Sequence, residues 1–262
     1  VLLPGLKARE HNKRLASANK ECFVMAGHLF QGNNEIIPVD SEHSALFQGI
    51  LAGRYSDVSR LILTASGGPF FRGDTDLSKV TVADALRHPN WSMGPRITID
   101  SATMFNKGLE IIEARWLFDI QPEQIDVLIH PQSIVHSIVE FVDGTQMAQM
   151  SLPDMRLPIQ YALTYPKRKP SPVDTLNLAK ASNLEFFDVP YSRFPALEQA
   201  IRALKVGGIS ATMGNAADEV AVARFLREDI RFMDIPILIE KCLDRFEDSK
   251  SPDLETILDA DI

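Results

Sequence analysis

Cysteine is scarce: only Cys22 and Cys242 occur in 262 residues. So sparse a supply excludes a disulfide scaffold, offers no zinc-binding spacing and points to a reducing compartment. No apolar run approaches the roughly 18–20 residues that a membrane-spanning helix needs. The opening VLLPGLKARE places no basic segment before an apolar stretch, so no signal peptide is expected. Positive charge is also short, with 27 Lys and Arg against 35 Asp and Glu, a formal charge of −8. A general nucleic-acid surface is therefore not expected, because such binding rests on basic patches. An anionic small molecule would need a local cluster of donors set against that field. Neither GxGxxG nor GxxxxGKS/T occurs, so a P-loop NTPase is excluded. What is present is a globular composition, 45% apolar and 24% charged, enough for one large domain or two smaller ones.

Pro4 and Gly5 predict a broken helix end, followed by a polar loop. A helix is expected over 21–30, a turn at Gly32-Asn33-Asn34, and a short buried strand over 36–39. That strand runs into Asp40-Ser41-Glu42-His43, where a helix starts with Ser41 or Ser44 as cap. A second strand, 60–64, ends in Ala65-Ser66-Gly67-Gly68-Pro69, and a third is expected at Ile97-Thr98-Ile99 before Asp100-Ser101-Ala102-Thr103. Between them, 70–95 reads as a long loop holding His88-Pro89-Asn90-Trp91-Ser92-Met93-Gly94, and loops of that length are usually functional or mobile. The pattern continues with a helix over 106–118, strands over 125–129 and 135–142, and a type I′ turn at Asp143-Gly144 into 145–150. Residues 166–172 have the composition of a linker, and helices follow over 195–205, 215–228 and 236–246. The fold class expected is α/β: a mixed domain to about residue 165, then a linker and an all-helical tail.

Ligands in α/β sheets bind beyond the carboxyl ends of strands, so three polar strand ends suggest one site. Asp40 and Glu42 lie two apart, and in an extended backbone they share a face. Such carboxylates repel unless a cation lies between them, which suits Mg²⁺ or Mn²⁺. The plainer alternative is a solvated helix start favoured by the helix dipole. Glu110 strengthens the first reading. Asn106, Lys107 and Glu110 share one side of a helix whose N-terminal N–H groups attract anions, a set that fits a phosphate beside a divalent metal. The alternative is an ordinary Lys–Glu pair worth a few tenths of a kcal/mol. Ser66 and Ser101 are small hydroxyl donors, and Gly67 and Gly68 let backbone approach a phosphate closely. The loop with His88, Trp91, Met93 and Gly94 could close over a ligand, or Trp91 could simply anchor it. His136, in an apolar strand, reads as structural. Ser66 has no base nearby in sequence and Cys22 lies in a helix with no local His, so hydrolysis through a Ser or Cys intermediate is not supported.

The segments LASANKE, PVDSEH, SGGPF, RHPNWSMG, DSATMFNKGLE, IEARWLF and IHPQSIVHS, in that order, resemble the 1-deoxy-D-xylulose 5-phosphate reductoisomerase family from about Leu15 onward. The resemblance implies the tail end of an NADPH-binding Rossmann domain (1–39), a catalytic domain with a mixed sheet (40–165), a linker (166–190) and a small helical C-terminal domain (191–262). It implies an NADP-dependent oxidoreductase of non-mevalonate isoprenoid biosynthesis. Such an enzyme rearranges the carbon skeleton of a phosphorylated sugar and reduces the resulting aldehyde to 2-C-methyl-D-erythritol 4-phosphate. Carried over by motif, Asp40, Glu42 and Glu110 would hold Mg²⁺, Mn²⁺ or Co²⁺. Ser66, Ser101, Asn106 and Lys107 would bind phosphate and substrate hydroxyls. Lys20, Ser41 and His88 would make further substrate contacts, with Lys20, Glu42, His88 and Glu110 in catalytic roles. Trp91 and Met93 would form a flap, and Asn19, Glu21 and Gly94 would touch the nicotinamide cofactor. No membrane or nucleic-acid partner is implied; a homodimer is, in the bacterial cytoplasm or else a plastid. The family's glycine-rich first half has no counterpart here, and its final helix is expected to be missing. The alternatives are a metal- and phosphosugar-binding relative without catalysis, or a metal-dependent phosphosugar isomerase or lyase without redox chemistry.

Overall fold

The computed structural model describes residues 1–32, 36–73, 75–91, 93–181, 183–245 and 252–261. Asn33, Asn34, Ser92, Phe246 and Ile262 thus lie outside the described residues. In chain order the elements are α1 (Leu2–Glu10), β1 (Leu15–Ser17), α2 (Lys20–Phe30), β2 (Ile36–Pro38), α3 (Ser41–Ile50) and β3 (Val58–Ala65). Then come α4 (Val82–Ala85), α5 (Pro95–Ala102), α6 (Phe105–Leu117), β4 (Ile125–Ile129), β5 (Val135–Phe141), β6 (Gln146–Met150) and α7 (Arg156–Thr164). The rest are α8 (Leu178–Ala181), β7 (Phe187–Asp188), α9 (Pro195–Val206), α10 (Ser210–Leu226), α11 (Asp234–Leu243) and α12 (Leu254–Ala260). The chain divides into two compact units, each assembled from separated stretches. One comprises Val1–Lys20, Leu29–Ser66 and Ala114–Val189; the other comprises Glu21–His28, Gly67–Glu113 and Pro190–Ile262.

The first unit holds the sheets. Five strands run in the order β6-β5-β3-β4-β7, with β3 and β4 parallel and the other neighbours antiparallel, the mixed sheet expected from the sequence. β3 is central because Leu61 to Ala65 are apolar or small and buried on both faces. At the opposite extreme, β6 (QMAQM) is an exposed edge. Arg60 bridges its neighbours across the sheet, reaching Asp126 at 2.5 Å and Glu140 at 2.9 Å. A separate pair, β1 and β2, is parallel, with α2 between them in the chain. Ile37, Val39 and Ala162 form a small core with Phe47, Met155 and Tyr165 against them.

The second unit is helical. Phe70, Phe232 and Phe225 follow one another edge to face, with centroids 5.4 and 5.6 Å apart. Gly108 lets α6 approach α9 closely, since a Cβ there would lie 2.2 Å from the Cβ of Ala200.

Several expectations require correction. Ile97-Thr98-Ile99 is not a strand but part of α5: Pro95 occupies its first turn and the Thr98 hydroxyl donates back to the Gly94 carbonyl at 2.8 Å. Pro4 and Gly5 do not break α1. Pro4 sits in the first turn, where its missing N–H is not needed, and Gly5 packs 3.3 Å (as a virtual Cβ) from the Phe30 ring. The Asp143-Gly144 turn is not type I′, because only Gly144 has positive φ (82°). β1, inside the expected polar loop, α4, inside the expected loop over 70–95, and α7, α8, β7 and α12 were not anticipated, and α10 begins five residues before the expected 215, with Gly214 inside it.

Candidate active site

In the first unit, β2 gives way to Asp40 (φ −53°, ψ 134°), which is the N-cap of α3, and Glu42 lies in that helix's first turn. The two carboxylates therefore do not project from one strand face, as their spacing suggested. An Asp at this position ordinarily accepts from a backbone N–H of the first turn. Asp40 makes no such cap bond. Its Oδ2 instead takes the Lys20 ammonium at 2.6 Å, in a pair whose side chains are 11% and 7% exposed. Burying two charges costs several kcal/mol per ion, so the pair matters more for placement than for stability. The Ser41 hydroxyl donates to Glu42 Oε2 at 2.5 Å. Asn19 is the N-cap of α2, and its backbone N–H donates to Ser17 Oγ at 3.3 Å. Half-buried Ser66 directly follows β3; half-buried Glu21, in the first turn of α2, belongs to the second unit.

Beside this cluster stand His43 and His136, two histidines close to the expected site strands, together with residues that the sequence did not single out. His43, one turn into α3, is fully buried and stacks on Phe118 with centroids 6.3 Å apart. A cavity of about 270 Å³ is lined by Ser41, His136, Ser151, Arg168 and Lys169, among others. Ser41 was expected to touch substrate, and the basic run between Pro166 and Pro170 was a further visible signal. His136 pairs with the Ser151 hydroxyl at 2.9 Å, and burial pushes its pKa down, so the ring is neutral near pH 7.

In the second unit, Gly67 and Gly68 adopt left-handed φ of 82° and 60°. A Cβ on Gly68 would meet the Ser101 carbonyl oxygen at 2.8 Å, so glycine is what lets this turn lie against the end of α5. α5 ends at Thr103, Met104 turns through φ 62°, and α6 begins at once, with the Phe105 N–H donating to the Thr103 hydroxyl at 3.3 Å. This tight corner carries Ser101 on one helix and Asn106 and Lys107 on the next. Asn106 Nδ2 donates to Glu110 Oε1 at 2.6 Å, and Lys107 Nζ is in contact with Oε2 of the same carboxylate. Lys107 and Glu110 are 3% and 1% exposed. The flap segment is held by His88, whose Nδ1 accepts from the backbone N–H of Trp91 at 2.9 Å and of Asn90 at 3.2 Å. Burial pushes the His88 pKa down, and the two accepted bonds require the neutral ring with its proton on Nε2. Trp91 and Met93 are half-buried, and Gly94 is exposed with open space beside its Cα.

Of the three strand ends thought to converge, two are strand ends and the third is this helix corner. Each unit presents a buried carboxylate holding an ammonium, Asp40 with Lys20 and Glu110 with Lys107, so positive charge is demanded at both. Asp40, Glu42 and Glu110 offer only oxygen donors, which fits a hard divalent cation. For a nicotinamide cofactor, the β1–α2–β2 order with parallel strands is that of a nucleotide-binding half, and Asn19 follows the carboxyl end of β1.

The comparisons with known proteins agree with one another. Residues 36–118 match the model of the 1-deoxy-D-xylulose 5-phosphate reductoisomerase C-terminal domain, and residues 150–262 match a second, described as the DXP reductoisomerase C-terminal domain. A 1-deoxy-D-xylulose 5-phosphate reductoisomerase of Acetivibrio thermocellus is 51% identical over all of this chain and 70% of its own length. That of Geotalea uraniireducens is 55% identical over 93% of this chain and 64% of its own. The Zymomonas mobilis enzyme, solved in complex with NADPH, superposes with a TM-score of 0.92 at 42% identity, covering 99% of this chain and 69% of that one. A DOX-P reductoisomerase solved with NADPH, fosmidomycin and magnesium matches with a TM-score of 0.92 at 39% identity, covering 99% and 70%.

Proposed function

The chain belongs to the 1-deoxy-D-xylulose 5-phosphate reductoisomerase family, and from that footing we propose that it supplies the metal- and substrate-binding part of an NADP-dependent reductoisomerase. The substrate is 1-deoxy-D-xylulose 5-phosphate and the product 2-C-methyl-D-erythritol 4-phosphate. The observation that carries this reading is the group at the head of α6, half-buried Asn106 bonded to Glu110 and buried Lys107 in contact with the same carboxylate. A cation and an amide suit a phosphate, and a carboxylate one turn on suits a metal.

Asp40, Glu42 and Glu110 would hold the divalent ion. When bound, it supplies Lewis acidity where negative charge develops on the substrate's ketone and hydroxyl oxygens. Lys20, held at Asp40, would place a positive charge beside the reacting oxygens. Ser66, Ser101, Asn106 and Lys107 would anchor the phosphate and hydroxyls, so that binding energy orients the reacting carbons. Ser41 would touch the substrate beside Glu42. His88 would contact substrate through Nε2–H while its Nδ1 keeps the flap folded. Trp91 and Met93 would cover the bound sugar and exclude water. Asn19, Glu21 and Gly94 would position the nicotinamide cofactor, which supplies the hydride when bound. Function follows the chain as 1–39 (cofactor), 40–165 (catalysis), 166–190 (linker) and 191–262 (helical domain). A homodimer is proposed too, supported by the exposed edge of β6, as is a cytoplasmic location, in keeping with the absence of any described helix long and apolar enough to cross a membrane.

The test is turnover by the full protein with substrate, Mn²⁺ and NADPH, followed at the nicotinamide absorbance band. Oxidation of NADPH with formation of the branched product supports the reading. Tight binding without oxidation would assign the chain to a non-catalytic binder instead. Glu110→Gln should lower activity at limiting Mn²⁺ at least tenfold, with partial recovery at higher metal. Unchanged turnover would remove Glu110 from the metal site.

A further inference from the structure

α5, which carries Ser101, meets α10 through a group of polar side chains. Arg96 Nη1 donates to Glu219 Oε2 at 2.9 Å and Nη2 to Asn215 Oδ1 at 3.1 Å, while its Nε stands 3.9 Å from Asp100 Oδ2. Asp218 is fully buried, Asp100 is 4% exposed, and Asn215 is 2% exposed. Neither carboxyl oxygen of Asp218 receives an N–H or O–H from a hydrogen-bond donor group among the described residues. What faces it is the carboxyl of Asp100. Two carboxylates that face each other in a dry place both accept and neither donates, unless one retains its proton.

We propose that Asp218 is a positioning residue: its carboxyl stays protonated, donates to Asp100, and with the Arg96 fork fixes the last turn of α5, which carries Ser101. The proposal rests on the reading of Ser101 as a substrate contact and adds to it a residue 117 positions away, on a helix that touches no substrate in that reading. Asp100 adjoins Ser101 in the chain, and the Gly68 turn packs on the carbonyl of Ser101. A shift of the Asp100 carboxyl is therefore passed to both hydroxyl-bearing and glycine-lined sides of the proposed phosphate pocket. Burial pushes Asp218 well above the ordinary carboxyl range, and the negative charge of Asp100 adds to it; Arg96 acts in the opposite direction and Glu219 in the same one. Asp261, beyond α12, is itself raised by burial and by the charge of Glu219, with Arg96 acting the other way. Among the described residues, no charge from α9 or α11, which also pack on α10, acts on Asp218. When Asp218 does lose its proton at alkaline pH, two buried anions repel, α5 shifts, and substrate affinity falls.

Asp218→Asn keeps a donor toward Asp100 but removes the titration. In the full protein, infrared difference spectra at neutral pH should show a carboxylic-acid C=O band in the wild type that is missing in Asp218→Asn. The wild-type KM for substrate should rise about tenfold on the alkaline side while kcat changes less. Asp218→Asn should hold its neutral-pH KM across the same range, and Asp218→Leu should raise KM at every pH. The idea is overturned if the wild type has no acid band, or if the wild type and Asp218→Asn follow one KM profile. An acid band in a protein that never turns over substrate would leave the shared proton standing, and would sink both the substrate positioning and the function proposed above.

Discussion

Replacing Lys107 by Met removes an ammonium from a place that water scarcely reaches. Lys107 and Glu110 are 3% and 1% exposed, and their heads are in contact. Taking away one partner of a buried ion pair typically costs about 3–5 kcal/mol, because the other charge is left uncompensated. The bond from Asn106 at 2.6 Å survives and is charge-assisted, which places the expected loss near the lower end, about 3 kcal/mol. Urea unfolding of the full protein in EDTA would measure it. Added manganese then becomes diagnostic. An ion that binds only the folded state contributes about 2.7 kcal/mol at a hundredfold excess over Kd. If Glu110 is a ligand, the manganese increment should be larger in Lys107→Met than in the wild type, since no ammonium competes for the carboxylate. The double variant Lys107→Met/Glu110→Gln should regain most of the lost stability, the coupling expected of groups in contact. A loss below about 1 kcal/mol, or strict additivity in the cycle, would refute the reasoning.

Gly68→Ala should destabilise by about 1–3 kcal/mol and weaken substrate binding, because the new Cβ meets backbone at 2.8 Å in a left-handed conformation; an unchanged urea midpoint would contradict the packing described. For His88 the folded state prefers the neutral ring, so its contribution is fully present above the ordinary histidine value of about 6.5 and is lost as pH falls below it. Protonation of Nδ1 removes the acceptor for Trp91 and Asn90, and Trp91 fluorescence should report the loosened flap. In His88→Asn, whose side-chain oxygen can accept the same bonds without titrating near neutrality, the fluorescence should stay flat across that window; a transition identical to that of the wild type would assign the change to another group.

Much of this was legible from local pattern. The middle of β3 shows as a run of apolar residues, and the spacing of Asn106, Lys107 and Glu110 puts them on one side of α6. α5 was misread because Ile97-Thr98-Ile99-Asp100 alternates with period two. In the helix the buried set is Thr98, Ile99, Asp100 and Ala102, two of them polar, so tertiary partners override the apolar pattern. The role of Asp40 was half visible. Its position before a helix is written in the sequence, but its turn away from capping depends on Lys20, twenty residues upstream. Asp100 facing Asp218 lies beyond any local reading, since the α5–α10 contact alone brings them together.

The interleaving of the two units bears on how the polypeptide matures. Phe23 and Val24 end up 1% and 3% exposed, yet they belong to a helical unit whose largest stretch starts only at Pro190. At about 5–20 residues per second, roughly 10–35 s of synthesis separates them from that stretch. During that interval these side chains emerge sticky and unsheltered, which makes the nascent polypeptide a natural client for holdase chaperones and gives late-arriving helices a say over when the early ones come to rest.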